Sequence, residues 1–122
     1  MIRAYWLYTG PDGESHVKKG HIDESALTAV KAIHFKETPA HGTLEWHNAP
    51  VEQYVITLSG VLEFGTRGGE TFTLHPGDVL IATDVTGGGH SWQLTGDEPW
   101  RRAYVVFADG AEPAIVLNDP GS

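Results

Sequence analysis

Three residues in this 122-residue chain combine reactive side chains with suggestive placement: His47, Gln53 and His90. An imidazole exchanges a proton near neutral pH and offers a nitrogen lone pair to a metal. A carboxamide offers a carbonyl oxygen. Two imidazoles and one amide oxygen can hold a divalent ion such as Fe²⁺, Mn²⁺, Ni²⁺ or Zn²⁺ and leave positions open for water or substrate. All three donors are neutral, so no carboxylate among them offsets the cation's charge, and the set predicts a weak site. Without a metal, His47 or His90 can act as a general base, and Gln53 can orient a carbonyl or hydroxyl of a ligand. The residue types are compatible with both a catalytic and a plain binding role. The chain has no cysteine, which excludes disulfides, thiolate zinc sites and cysteine nucleophiles. The order of its Ser, His and Asp residues defines no catalytic triad.

The elements that must position these groups are short. Breakers recur at Gly10-Pro11-Asp12-Gly13, Pro39 to Gly42, Gly60, Gly65 to Gly69, Pro76-Gly77-Asp78, Gly87 to Gly89, Gly96 to Pro99 and Asp109-Gly110. Between them lie runs rich in β-branched and aromatic residues, such as Arg3 to Tyr8, Leu27 to Phe35, Gln53 to Leu58, Val79 to Ala82, His90 to Leu94 and Arg102 to Phe107. Turn signals at intervals of roughly 8–12 residues predict an all-β sandwich or barrel. Ile22 to Ala29 has room for one helical turn. GTRGGE, between Val61–Phe64 and Thr71–Leu74, predicts a hairpin. Ala114 to Leu117 is a candidate final strand.

Alternation assigns faces. Glu45, His47 and Ala49 share one face of their strand, Gln53 resumes the inward side after Pro50, and His90, Trp92 and Leu94 share another face. The pocket set is therefore Glu45 at its mouth, Trp92 beside His90, and His34, opposite Ile33 and Phe35, at either the pocket or the surface. Trp46 has the other parity and is expected between sheets or subunits. In Gln53 to Leu58 both faces are apolar, which calls for a second sheet on one side and a partner subunit, as in a homodimer, on the other.

The stretches HNAPVEQYVITLSG and HPGDVLIATDVTGGGH carry a resemblance. Together they resemble the two halves of a small single-domain cupin, whose first motif runs G-x5-H-x-H-x3-E-x6-G and whose second is built on PGD, a strand and a late His. Counting back from Gly60 puts Gln53 at the family's Glu, Ala49 at its second His and His47 at its first, while His90 is the late His. The likeness covers about residues 44–94 of a single domain spanning 1–122. It implies a jelly-roll barrel, usually dimeric, with a pocket open at one end. Family members include isomerases, dioxygenases, lyases and ligand-binding modules, so fold alone assigns no reaction.

The expected activity is thus binding of a small organic molecule, with or without a divalent metal on His47, Gln53 and His90. The alternative is a metal-free ligand-binding or sensory module. A formal charge of −8, from sixteen acidic and eight basic residues, disfavours nucleic acid as a partner. No apolar run reaches membrane-spanning length, and the start MIRAYWLYTG lacks secretory character, so the expected location is the cytoplasm. His16, His21 and His75 read as surface groups. TDVTGGGH reads as a flexible lip beside His90, and Arg101-Arg102 as a strand-edge ion pair that could instead neutralise an acidic ligand if one of them points inward.

Overall fold

The structure, a computed structural model, describes residues 1–118. Its strands are β1 (Arg3–Thr9), β2 (Ser15–Ile22), β3 (Val30–Thr38), β4 (Thr43–His47), β5 (Gln53–Ser59), β6 (Val61–Thr66), β7 (Thr71–Leu74), β8 (Val79–Ala82), β9 (His90–Thr95), β10 (Trp100–Phe107) and β11 (Ile115–Leu117). There is no helix among the described residues, and hence none long and apolar enough to cross a membrane. Ile22 to Ala29 holds only a turn, in which Asp23 accepts hydrogen bonds from the backbone and hydroxyl of Ser25.

Two sheets face each other. The larger runs β11-β2-β1-β8-β5-β10-β3 and the smaller β4-β9-β6-β7. Only the β1–β8 pairing is parallel; the other ladders among these strands are antiparallel. This is the all-β architecture that the turn spacing implied, in the jelly-roll form that the resemblance implied. The hairpin read from GTRGGE is present, with Phe64 opposite Phe72 and their rings stacked at 5.0 Å. At Gly60 the chain leaves one sheet for the other. Its φ is +91°, and an added Cβ would lie 2.9 Å from the Pro99 carbonyl oxygen, so only glycine fits the crossing.

The core follows from alternation. Leu7, Val55, Leu80 and Trp100 from the large sheet meet Leu62, Phe64, Phe72, Leu74, Trp92 and Leu94 from the small one. The opposite face of the large sheet carries a second cluster, with Tyr54, Val79, Ile81 and Phe107 packed against Ile22, Ala111 and Ile115. The chain's own C-terminal segment thus takes part of the covering role that the apolar pattern of β5 assigned to a partner. The Tyr54 hydroxyl fastens it, accepting the Ala114 N–H at 2.7 Å and sharing a hydrogen bond with Thr28. Leu58, Ile33 and Phe35 remain exposed beyond the covered area.

His16 is more than a surface group. Its Nδ1 lies 2.6 Å from Glu70 Oε1 and its Nε2 2.8 Å from Asp12 Oδ2, joining the β1–β2 turn to the β6–β7 hairpin. The hydrogen bond to Glu70, then that to Asp12, raise its pKa above the ordinary 6.5. The protonated form is favoured in the folded state. The stabilisation is therefore fully present below the unfolded pKa and is lost as pH rises through the higher folded value. Urea unfolding followed from pH 6 to 9 is expected to show stability falling with pH across that window, and His16→Gln to flatten the slope. An unchanged slope in the variant would contradict this.

Candidate functional site

Between the sheets, at one end, lies a cavity of about 580 Å³. This is within the range that takes a small organic ligand. Its apolar wall is Val55, Phe64, Leu80, Ala82, Trp92 and Trp100. Its polar groups come from five segments: Gln53 on β5, His90 on β9, Arg102 and Tyr104 on β10, His34, Lys36 and Thr38 on β3, and His47 with Asn48 at the end of β4.

The structure brings His47, Gln53 and His90 to this one cavity. β4 and β9 pair His47 directly with His90, and their rings meet edge-on with centroids 4.4 Å apart. Each ring is held through Nδ1. His47 Nδ1–H donates to the Glu45 carbonyl at 2.8 Å, and His90 Nδ1–H donates to Asp84 Oδ2 at 2.6 Å. Both Nε2 atoms are left without a hydrogen-bond partner among the described residues, and this tautomer puts a lone pair on each. Burial lowers the His47 pKa; the nearby His90 acts the same way, and the Glu45 carbonyl and Asp84 oppose it. His47 is thereby kept neutral, as a ligand or a base must be. Gln53, 5% exposed, sits across the cavity in the other sheet, and its amide has no side-chain hydrogen bond among the described residues.

Asp84 is the group that sequence reasoning missed. It is fully buried, and its Oδ2 accepts from the Ser15 hydroxyl at 2.7 Å as well as from His90. Its backbone carbonyl accepts the Ala49 N–H. Its Oδ1 is buried without a partner among the described residues. The sequence signal was an acidic residue six positions before a candidate ligand, inside a loop read only for its glycines.

Glu45 is a correction. It is exposed and does not line the cavity. The β4–β9 register shifts between Leu44 and His47, and this irregularity breaks the alternation that had put Glu45 on the face of His47. Trp46 is also outside, with the Arg67 guanidinium 4.8 Å over its ring. Trp92 lines the cavity as expected, and His34 stands at its rim, stacked on Tyr104.

The Gly87–Gly89 loop is pinned, not a free lip. Asn48 donates to the Gly87 carbonyl and Arg67 to that of Gly88. Gly89 has φ +80°, and a Cβ there would come within 2.5 Å of the His47 carbonyl oxygen. Glycine at this position lets β4 approach closely enough for the two imidazoles to touch. Of the arginine pair, Arg101 forms the edge ion pair, with Glu37. Arg102 points inward and is buried. Its parity with Trp100 and Tyr104 was the available signal.

Two facing sheets around a cavity with convergent polar groups define a jelly-roll barrel built to bind a small molecule. Residues 34–107 match the family model of the cupin domain, and the chain belongs to that family. No curated protein matches the chain. It is a small-molecule-binding cupin.

Cupins often carry a metal, and the donors in this cavity bear on whether this chain can. Among the described residues no three His, Cys, Asp or Glu side chains form a ligand cluster. The two imidazoles nevertheless suit an ion: their Nδ1 atoms are engaged, and among the described residues their Nε2 atoms are unengaged and the buried carboxyl group behind His90 has one unpartnered oxygen. The Gln53 amide lines the same cavity and is the remaining candidate donor.

Asp84→Asn replaces an acceptor of two hydrogen bonds by an amide that accepts them less well. We expect a loss of about 1–3 kcal/mol in unfolding free energy. In ¹⁵N-correlated NMR, His90 should change from the pure Nδ1–H tautomer to a mixture. A His90 spectrum identical to that of the parent protein would remove Asp84 from its orienting role.

Proposed function

We propose that this cupin binds a small organic molecule at His47, Gln53 and His90, with one divalent metal ion held by these three side chains. The observation that carries the reading is the pair of touching imidazoles, each fixed through Nδ1 and each left with Nε2 available in the same cavity. A bound divalent ion would supply Lewis acidity toward an oxygen of the ligand. The protein's own groups do the rest. Asp84 fixes the ring plane of His90 and offsets positive charge building on it. The Glu45 carbonyl does the same for His47 without contributing charge. Gln53 directs its amide at a ligand carbonyl or hydroxyl, and the aromatic wall excludes water from the contact. Metal content after soaking with Fe²⁺, Mn²⁺, Ni²⁺ or Zn²⁺ tests the reading. We expect about one ion per chain, a single three-donor site, and its loss in both His47→Ala and His90→Ala. Protein that takes up none of the four would contradict it.

A second reading, a metal-free binding or sensory module, is favoured by one feature: the three donors are all neutral. Here the Asp84–His90 pair would itself accept a ligand proton at Nε2, with Asp84 stabilising the resulting imidazolium.

A homodimer belongs to the same proposal. β3 is an edge strand of nine residues whose outer face presents Ile33 and Phe35, 61% and 65% exposed, and Leu58 on β5 is exposed as well. A long apolar edge of this kind is normally covered. Light scattering at micromolar concentration should give twice the mass of one chain, and Phe35→Asp should shift it to the monomer. A monomeric parent protein would contradict this.

A further inference from the structure

We infer that the cavity recognises its ligand as an organic carboxylate, with the anionic group received by Arg102. This deepens the small-molecule reading of the same cavity and rests on it, but not on the presence of a metal.

The charge distribution makes the case. The chain carries a formal charge of −8, yet no Asp or Glu is among the residues lining the cavity, while Arg102 and Lys36 both line it. The two cations are direct cross-strand partners between β10 and β3. Like charges in that relation repel, and an anion placed between them removes the repulsion. Arg102 is 3% exposed and makes no ion pair among the described residues. A guanidinium so far from water ordinarily has a carboxylate partner.

Its hydrogen bonds go to neutral groups. Nε donates to the Tyr104 hydroxyl at 2.9 Å, and Nη1 donates to Thr38 Oγ1 at 2.8 Å and to the Trp100 carbonyl at 3.1 Å. A guanidinium has five N–H donors. Three are used, and the two on Nη2 are without a partner among the described residues. The group also lies 3.7 Å over the Trp100 ring, which fixes its plane. A planar donor held this firmly, with one N–H₂ to spare, suits a carboxylate oxygen better than a lysine would. Beyond it the wall is Trp92, Trp100, Phe64, Val55 and Leu80, so the body of the ligand is apolar or aromatic. His47, Gln53 and His90 then face a part of the ligand other than its carboxylate.

The test compares charged and neutral probes of one shape. Benzoate and phenylacetate, each against its primary amide, are titrated into the full chain by calorimetry at pH 7.5. We expect the carboxylates to bind at least tenfold more tightly than the amides, with the difference falling below about threefold in Arg102→Gln and partly kept in Arg102→Lys. Comparable binding of acid and amide by the parent protein, or no binding of either acid, overturns the inference, and neither result depends on a variant that folds. Arg102→Gln that folds and keeps the full preference overturns it too. His47→Ala separates this inference from the metal reading. It should lose metal and keep the preference for the acid; loss of that preference with Arg102 intact would overturn the assignment to Arg102.

Discussion

A single carboxylate without exposure, Asp84, ties together the parts of this protein that matter for function. Its side chain receives the hydroxyl of Ser15 from β2 and the Nδ1–H of His90 from β9, so it bridges the large sheet and the small one. Its backbone carbonyl receives Ala49, which lies between His47 and Gln53. A buried charge is costly unless hydrogen bonds and opposite charge compensate it. Two donors on one oxygen do so only in part, because Oδ1 has no partner among the described residues. The site is thus built around a buried carboxyl group, and the imidazole that it orients into the cavity is His90.

The cavity has two polar regions with different characters. Around His47, Gln53 and His90 the groups can offer lone pairs, with Asp84 hydrogen-bonded behind His90. Around Arg102, Lys36 and Thr38 they are donors of hydrogen bonds, two of them cationic. Apolar and aromatic side chains lie between. A ligand satisfying both ends carries an anionic group on an apolar body and a second polar function. That division belongs to this sequence and not to the fold, since the same barrel serves many chemistries.

Much of this was legible in the sequence. The turn spacing and period-two alternation identified the sheets, because residues such as Leu62, Phe64, Trp92 and Leu94 bury one face of each strand. The resemblance to the cupin motif, counted back from Gly60, pointed to His47 and Gln53. What alternation missed has local causes. The register shift after Leu44 put Glu45 outside, and no residue type announces such an irregularity. Asp84 lay in a loop, where parity says nothing. For the arginine pair the strand-edge ion pair was the leading reading and an inward arginine the alternative; Arg101 makes the ion pair with Glu37, and Arg102, which shares parity with Trp100 and Tyr104, turns inward. The C-terminal cover over Tyr54 depends on a contact sixty residues apart in sequence.

The central claim is that His90, oriented by Asp84, and His47 present adjacent nitrogens to one cavity with Gln53 opposite. Paramagnetic broadening by substoichiometric Mn²⁺, read residue by residue in NMR spectra, tests it most directly. The strongest broadening is expected at the side chains of His47, Gln53 and His90, fading through Trp92 and Asn48. Broadening confined to exposed carboxylates such as Asp97, Glu98 and Glu112, with the two imidazoles untouched, would contradict it.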